Sequence, residues 1–433
     1  MSRTYQVVII GNGIAGSSAA SALRQRSDCS IAMISDEEKL PFARTALMYI
    51  FMGQVTKNDT ELYPETYWKN NNIDLIYEKV VSLDRGNKAV QLSSGETVQY
   101  DTLVLATGSK PVLPHLDGIE SQQVHKLYHS SDLEKMTRHF QGDIRKGMIV
   151  GGGLIGIELA EMWLSRGIDV TLLIREKCFW TSGLPPAESQ MVQQYLSKKG
   201  IKFITESTLS SLHFEQQKLS AIGTSQGSIV PCDALGIAIG VEPNVGDLRS
   251  SGLVINRGIV VNEYLKTSDE SIYAAGDCVE FQGSDNGIKK SEAVWYVAKK
   301  MGEAVAKNIA GETKPFERGL WYNSARFLDL DYQIYGVMEI NNAGLSNALY
   351  WQHPAGDKSL RLAIDDDNRL VGILAIGLRL RQAQCEKWLL EKNTLKEVID
   401  QLPAAHFESE FSKNFMKEIA LHFKNKLSNG IHV

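Results

Sequence analysis

The chain lacks paired cysteines. Its five cysteines stand at 29, 178, 232, 278 and 385. None forms a CxxC and none is spaced like a metal ligand, so the expectation is five reduced thiols, several of them buried, and no metal centre. It also lacks any uninterrupted apolar run near the ~20 residues that a spanning helix requires, so no transmembrane segment is expected. There is no basic excess. The 46 Lys and Arg against 51 Asp and Glu leave a net charge of −5, which gives no reason to expect nucleic acid as a partner. The first strand candidate begins near Tyr5, so no signal or transit segment is expected ahead of it and the expected compartment is the cytoplasm.

What is present is ordinary globular sequence. Apolar residues make up 43% and charged residues 22% of 433 residues, enough chain for two or three domains and a large core. Tyr5 to Ile10 reads as a buried parallel strand bounded by Gly11, and Ser17 to Arg26 carries a helical pattern. Ser30 to Ile34 and Asp101 to Ala106 are further apolar runs, in the βαβ order of a doubly wound sheet. The order restarts at Met148, with a strand to Val150, a helix from Leu154 to Arg166 closed by Gly167, and strands at Val170 to Ile174 and Ala234 to Ile239. Between the two units, Pro111 to Arg145 reads as loop-rich. From about Leu320 the pattern changes to alternating runs, Tyr332 to Val337 and Leu370 to Ile376, followed by helical patterns from Ala383 onward.

Each unit carries a glycine turn between strand and helix. The first is Gly11, Gly13 and Gly16, with Ile14 and Ala15 opening the helix. Its first glycine allows the tight turn, its second admits a pyrophosphate to the backbone, and its third lets the helix close on the strand. The helix N-terminus offers free N–H groups and partial positive charge to phosphate. About 20 residues on, the next strand ends in Ser35-Asp36-Glu37, where an acid can accept from both ribose hydroxyls. Asp36 is the expected acceptor and Glu37 the close alternative. The second turn is Gly151, Gly153 and Gly156, with Ile155 in the helix start. Its strand ends in Ile174-Arg175-Glu176. Arg175 suits the 2′-phosphate of NADPH and Glu176 suits NADH, with the lean toward NADPH.

Two further signals fall in order. Ala106-Thr107-Gly108 closes the third strand of the first unit. Ala275-Gly276-Asp277 lies past the second unit, where Asp277 is placed for a ribityl hydroxyl and the neighbourhood of a pyrophosphate. The chain therefore leaves the first site, builds a second and returns. Two dinucleotides in one protein suggest FAD and NAD(P)H, acceptor and donor of a hydride.

From Tyr5 to Gly336 the chain resembles the FAD-dependent pyridine nucleotide-disulfide oxidoreductase superfamily. The likeness is carried by GNGIAG, ATG, GGGLIG, Gly240 with the following Val-Glu-Pro-Asn, and AAGD. The disulfide branches carry cysteine shortly after the first βαβ unit. Here that region reads LPFARTALMYIFMG, without one. It is instead similar to the PYxRPxLSK segment of the ferredoxin and rubredoxin reductase-like branch, with Pro41, Phe42, Arg44 and Leu47 matching. The resemblance implies that Arg44 approaches the FAD. It puts Tyr49 where the branch has a lysine, and matches that lysine's glutamate partner to Glu158. Without the lysine, Glu158 is expected to be neutral or hydrogen-bonded, because an unpaired buried carboxylate is costly. Trp295 matches the aromatic against the flavin ring, and Val80 a backbone contact to adenine.

The implied fold is α/β: two Rossmann-like domains, the second inserted in the first, plus a C-terminal α+β domain. The expected boundaries are 1–115 with 245–319 for FAD, 116–244 for NAD(P)H, and 320–433 for the appendage, which in this branch covers the flavin and forms part of a homodimer interface. The implied activity is hydride transfer from NAD(P)H, bordered by Glu158, to FAD and then electron delivery to an external acceptor, with a small iron–sulfur protein as the branch's precedent. Two alternatives stand beside it. One is a quinone reductase at the membrane surface, suggested by Phe411, Phe415, Ile419 and Phe423 at helical spacing with lysines nearby. The other is a flavin-based redox sensor whose partner surface is the C-terminal domain, including Leu320 to Gly336.

Overall fold

The structure is a computed structural model describing residues 2–282, 292–338, 348–407 and 413–428. It is α/β, as the sequence pattern implies, and divides into two compact units. One comprises residues 1–114, 125–142 and 240–318; the other comprises residues 115–124, 143–239 and 319–433.

The first unit is built on a parallel sheet in which Ile73–Tyr77, Ile31–Ser35, Ser2–Ile10, Thr97–Leu105 and Ile272–Ala274 lie side by side. The register pairs Val7 with both Ile31 and Thr102. Val8, Ile9, Ala32 and Leu103 are fully buried, which is why these strands read as continuous apolar runs rather than alternating ones. An antiparallel pair, Val80–Asp84 and Ala89–Leu92, extends the sheet beyond Thr97–Leu105. The outgoing segment Ser109–Pro111 and the returning segment Val241–Pro243 pair antiparallel. They are tied further by the Thr107 hydroxyl donating to the Asn244 carbonyl at 2.7 Å.

One stretch of this unit differs from expectation. Within the region read as loop, Ser130–His139 is a helix. Asp132 accepts the backbone N–H of His129 at 2.9 Å and of Tyr128 at 3.2 Å. Leu133 and Met136 are buried beneath it. With a histidine at the cap position, the usual Ser/Thr/Asp/Asn start signal is missing, so the polar surroundings mask the helix.

The second unit repeats the parallel pattern with Lys202–Ile204, Asp169–Leu173, Lys146–Val150 and Ala234–Ile237 adjacent in that order. A three-stranded antiparallel sheet, Leu209–Glu215, Lys218–Thr224 and Ile229–Pro231, follows. The same unit holds the C-terminal α+β part: a five-stranded antiparallel sheet with helices Gln382–Leu390, Leu395–Gln401 and Met416–Ser428. A buried ion pair, Arg361 to Glu188 at 2.7 and 2.9 Å, joins that sheet to the helix Pro186–Lys198.

The tail helix bears on the membrane alternative. Phe415, Met416, Ile419 and Phe423 are buried with Trp351 and Trp388 in the C-terminal core; Phe411 lies outside the described residues. Each large side chain buried this way contributes ~1.5–3 kcal/mol, so the apolar face is spent on its own domain. Among the described residues, no helix is long and apolar enough to cross a membrane.

Candidate functional site

The strand Ser2–Ile10 must reverse at once into the helix Ile14–Arg24. Gly11 makes that turn with φ of +100°, and a Cβ there would lie 2.1 Å from the Ala106 carbonyl oxygen. At Gly16 a Cβ would lie 1.9 Å from the Gly11 oxygen. These two glycines are required by the packing. At Gly13 a Cβ would meet nothing within 4 Å. The middle glycine therefore faces open space at the start of a helix that has no side-chain cap. The N–H groups from Ile14 and Ala15 onward begin an uncapped first turn, which is the donor set an anion requires. Gly276 closes the far side, with φ of +85° and its Cβ direction 3.0 Å from the Ala15 side chain. The backbone thus gathers Gly11, Gly13, Ala15, Gly16, Ala106 and Gly276 into one cradle, and a dinucleotide pyrophosphate fits it.

Side chains around this cradle form one hydrogen-bonded chain. Arg44 binds Glu37 through two contacts, 2.9 and 2.6 Å, and also donates to the Tyr128 carbonyl. Its guanidinium lies 4.5 Å from the Tyr128 ring centre. Glu37 also lies 3.3 Å from His129 Nδ1 and accepts the Ser130 N–H at 3.0 Å. Burial works against the Glu37 charge, but hydrogen bonds and charge from His129 and Arg44 outweigh it and pull its pKa down to about 2. On the other side, the Ser109 hydroxyl donates to Asp277 at 2.9 Å and meets the Tyr128 hydroxyl at 2.7 Å. Burial raises Asp277 above the usual carboxylate range, against the opposing pull of Ser109 and Arg44.

The strand tip thus distinguishes its two acids. Glu37 is committed to Arg44, His129 and Ser130, while Asp36 stays exposed one residue beyond the strand Ile31–Ser35. Thr107 and Gly108 hold the crossing: Asn244 donates its N–H to the Gly108 carbonyl at 2.9 Å, and Gly108 has φ of +69°. Gly240, with φ of +116°, begins the return, its carbonyl accepting from the Val112 N–H. Val80 opens its antiparallel strand, Tyr49 is half-buried on the short helix Leu47–Phe51, and Trp295 begins the helix Trp295–Ile309, edge-on to Tyr296 at 5.3 Å. The hydrogen-bonded chain does not include Val80 or Trp295.

The second turn repeats the first in its own unit. Gly151 has φ of +116° and a Cβ there would lie 2.2 Å from the Ala238 oxygen; at Gly156 it would lie 2.3 Å from the Gly151 oxygen; at Gly153 it would meet nothing within 4 Å. Gly153 precedes the uncapped helix Leu154–Leu164, whose first turn includes Ile155. At the strand tip, Arg175 donates to Glu176 at 2.9 Å, with the arginine 80% and the glutamate 35% exposed. Glu158, one turn into the helix, is pushed up to about 7 by burial, with the nearby Glu161 charge adding to it.

Sequence reasoning missed Ser109, Tyr128 and His129. No motif marks them; the one available signal was Asp132, three residues after His129, as a helix start. Among the described residues there is no group of three or more possible metal ligands. All five cysteines are free thiols, and burial pushes Cys232 and Cys385 up to about 12, leaving them without thiolate character.

Comparisons with known proteins agree with this geometry. Residues 5–302 match the family described as pyridine nucleotide-disulphide oxidoreductase. The NADH oxidase of Methanocaldococcus jannaschii is 30% identical over 395 residues, covering 86% of this chain and 87% of that protein. The NADH-rubredoxin oxidoreductase of Clostridium acetobutylicum is 31% identical over 314 residues, 72% of this chain and 76% of that protein. The ferredoxin reductase for the CYP199A2 system from Rhodopseudomonas palustris superposes with a TM-score of 0.79 at 27% identity, covering 86% of this chain and 91% of that one. Two longer Bacillus subtilis relatives extend well beyond the match, which spans 38% and 56% of their length. With two glycine cradles in order and no cysteine in the stretch Leu40 to Gly53, the chain belongs to the pyridine nucleotide-disulphide oxidoreductase family, in its ferredoxin reductase-like branch, and is an FAD-dependent NAD(P)H oxidoreductase.

Proposed function

We propose that the turn at Gly11–Gly16 holds the FAD, that the turn at Gly151–Gly156 holds the nicotinamide nucleotide, and that the electrons leave to an external one-electron acceptor, a small iron–sulfur protein. The observation that carries this reading is the pair of open positions at Gly13 and Gly153, each heading an uncapped helix. A bound flavin supplies the chemistry, accepting a hydride and releasing electrons singly; the chain supplies position and electrostatics.

Each residue has a task on this reading. Asp36 accepts from the adenosine ribose, Asp277 from the flavin's polyol, and Arg44 is fixed beside them by Glu37. Gly108 and Gly240 keep the crossing close, Val80 meets the adenine, and Trp295 and Tyr49 flank the flavin ring. Glu158, uncharged over part of the neutral range, borders the nicotinamide. The domains are 1–115 with 245–319, 116–244, and 320–433, the last forming a dimer surface. Selection between NADH and NADPH is a contest between Arg175, which suits a 2′-phosphate, and Glu176, which suits ribose hydroxyls and already holds the arginine. Relatives named for NADH weigh toward the glutamate.

The iron–sulfur acceptor is supported by relatives named as rubredoxin and ferredoxin reductases and by the lack of a cysteine relay. The buried face of the tail helix removes the observation that favoured a quinone at a membrane. The test is anaerobic. The visible spectrum of the purified protein is recorded, NADH and NADPH are titrated separately, and cytochrome c reduction is followed with and without added rubredoxin or ferredoxin. Bleaching by about one equivalent, with cytochrome c reduced only when the small protein is present, is the expected result. A yellow protein that neither nucleotide bleaches sinks the mechanism, and bleaching without transfer to either iron–sulfur protein sinks the acceptor.

A further inference from the structure

Asp277 is half satisfied by the protein. Its Oδ2 accepts from Ser109, while no hydrogen bond reaches Oδ1 among the described residues. The polarity of the contacts around Ser109 is determined by counting protons. The Ser109 backbone N–H donates to the Tyr128 oxygen at 3.0 Å. Either oxygen could donate across the 2.7 Å contact between the two hydroxyls, but a serine that gives its one proton to Asp277 can only accept there, so the phenol proton goes to the Ser109 oxygen. The Ser109 proton is then directed to Asp277 at 2.9 Å. Every donor has one acceptor, and the chain runs one way, from Tyr128 through Ser109 to the carboxylate. Ser109 is 2% exposed, so water does not compete for its hydroxyl. Tyr128 is held in turn by the Arg44 guanidinium over its ring, itself clamped by Glu37.

We propose that Ser109 and Tyr128 are positioning residues for cofactor binding: they hold one oxygen of Asp277 and turn the other toward the hydroxyl groups of the flavin's polyol. The proposal rests on the reading that the first turn binds FAD. A carboxylate with both oxygens free to rotate loses orientation each time it binds a polyol. One locked by a donor presents a fixed acceptor. The device acts on retention of the cofactor rather than on the hydride step.

The experiment dilutes the holoenzyme and reads the fluorescence of released FAD, which gives the dissociation constant. Ser109→Ala is expected to weaken FAD binding about tenfold, the scale of one charge-assisted hydrogen bond. Tyr128→Phe, which removes the first proton of the chain, is expected to weaken it about threefold. The decisive arm is a double-mutant cycle. In an Asp277→Ala background, which leaves no acceptor for the serine, Ser109→Ala is expected to cost less than twofold, because its effect passes through the aspartate. Equal costs in both backgrounds overturn the proposal, since a general packing defect is additive. Unchanged FAD affinity in Ser109→Ala overturns it too. A wild-type protein that holds no FAD and takes none up overturns the reading of the first turn, and the proposal with it.

Discussion

The two glycine turns have nearly the same backbone and very different surroundings. The first and third glycines are enforced in both, by hypothetical Cβ contacts of 2.1 and 1.9 Å in one and 2.2 and 2.3 Å in the other, and the middle glycine is open in both. Around the first turn, half-buried and buried side chains form a continuous chain from Glu37 through Arg44, Tyr128 and Ser109 to Asp277. Around the second, the strand tip carries one solvent-exposed pair, Arg175 and Glu176. On the proposed reading, the backbone makes the phosphate site and the side chains set how long the guest stays. A networked site suits a resident cofactor and an exposed one suits a nucleotide that exchanges at every turnover.

The comparison breaks most visibly at the glycines. Gly11→Ala and Gly151→Ala each put a Cβ against a carbonyl at positive φ, and should cost at least about 3 kcal/mol in thermal or urea unfolding. Gly13 and Gly153 have φ of −63° and −99°, which alanine adopts without strain, so alanine there should cost only the ~1 kcal/mol of a poorer helix N-cap. Gly13→Ala should release FAD, whereas Gly153→Ala should keep the yellow colour and lose bleaching by NAD(P)H. A Gly13→Ala protein that stays yellow would place the flavin elsewhere.

The acids sharpen it with opposite signs. Glu37 is lowered in the folded state to about 2. Its contribution is therefore complete above the unfolded value near 4.5 and lost as pH falls toward 2, on the order of 3 kcal/mol. Glu37→Gln should be the less stable protein at pH 7, with the gap closing on acidification in urea unfolding series. Glu158 is raised to about 7. The folded state binds the extra proton between about 4.5 and 7, so wild-type stability should fall as pH rises through that window. Allowing for its partial exposure, the loss is ~1–3 kcal/mol. Glu158→Gln should flatten that slope; an unchanged slope would show that the carboxyl ionises normally. The smallest effect belongs to the exposed pair. Arg175→Ala should raise KM for NADPH about fivefold and for NADH less than twofold, a difference of ~1 kcal/mol.

Much of this was legible in the chain. Gly16 closes on the Gly11 oxygen five positions back, so that requirement is local and shows as spacing, whereas Gly11 is pressed by Ala106 from another strand. The parallel strands showed as apolar runs because both faces are covered. The helix Ser130–His139 was hidden because His129 gives no familiar cap signal. Ser109 and Tyr128 carried no motif, since their meaning lies in a partner such as Asp277, 168 positions from Ser109.

Neighbouring residues along the chain determine turns, strand starts and helical stripes, because those depend on φ, sterics and periodicity over a few positions. They settled that there are two cradles and that the tail is an amphipathic helix. Which of Asp36 and Glu37 stays open, which surface takes the tail's apolar stripe, and which hydroxyl orients Asp277 were decided by folding. Each depends on burial and on a partner brought from far along the chain, and neither property belongs to any short segment.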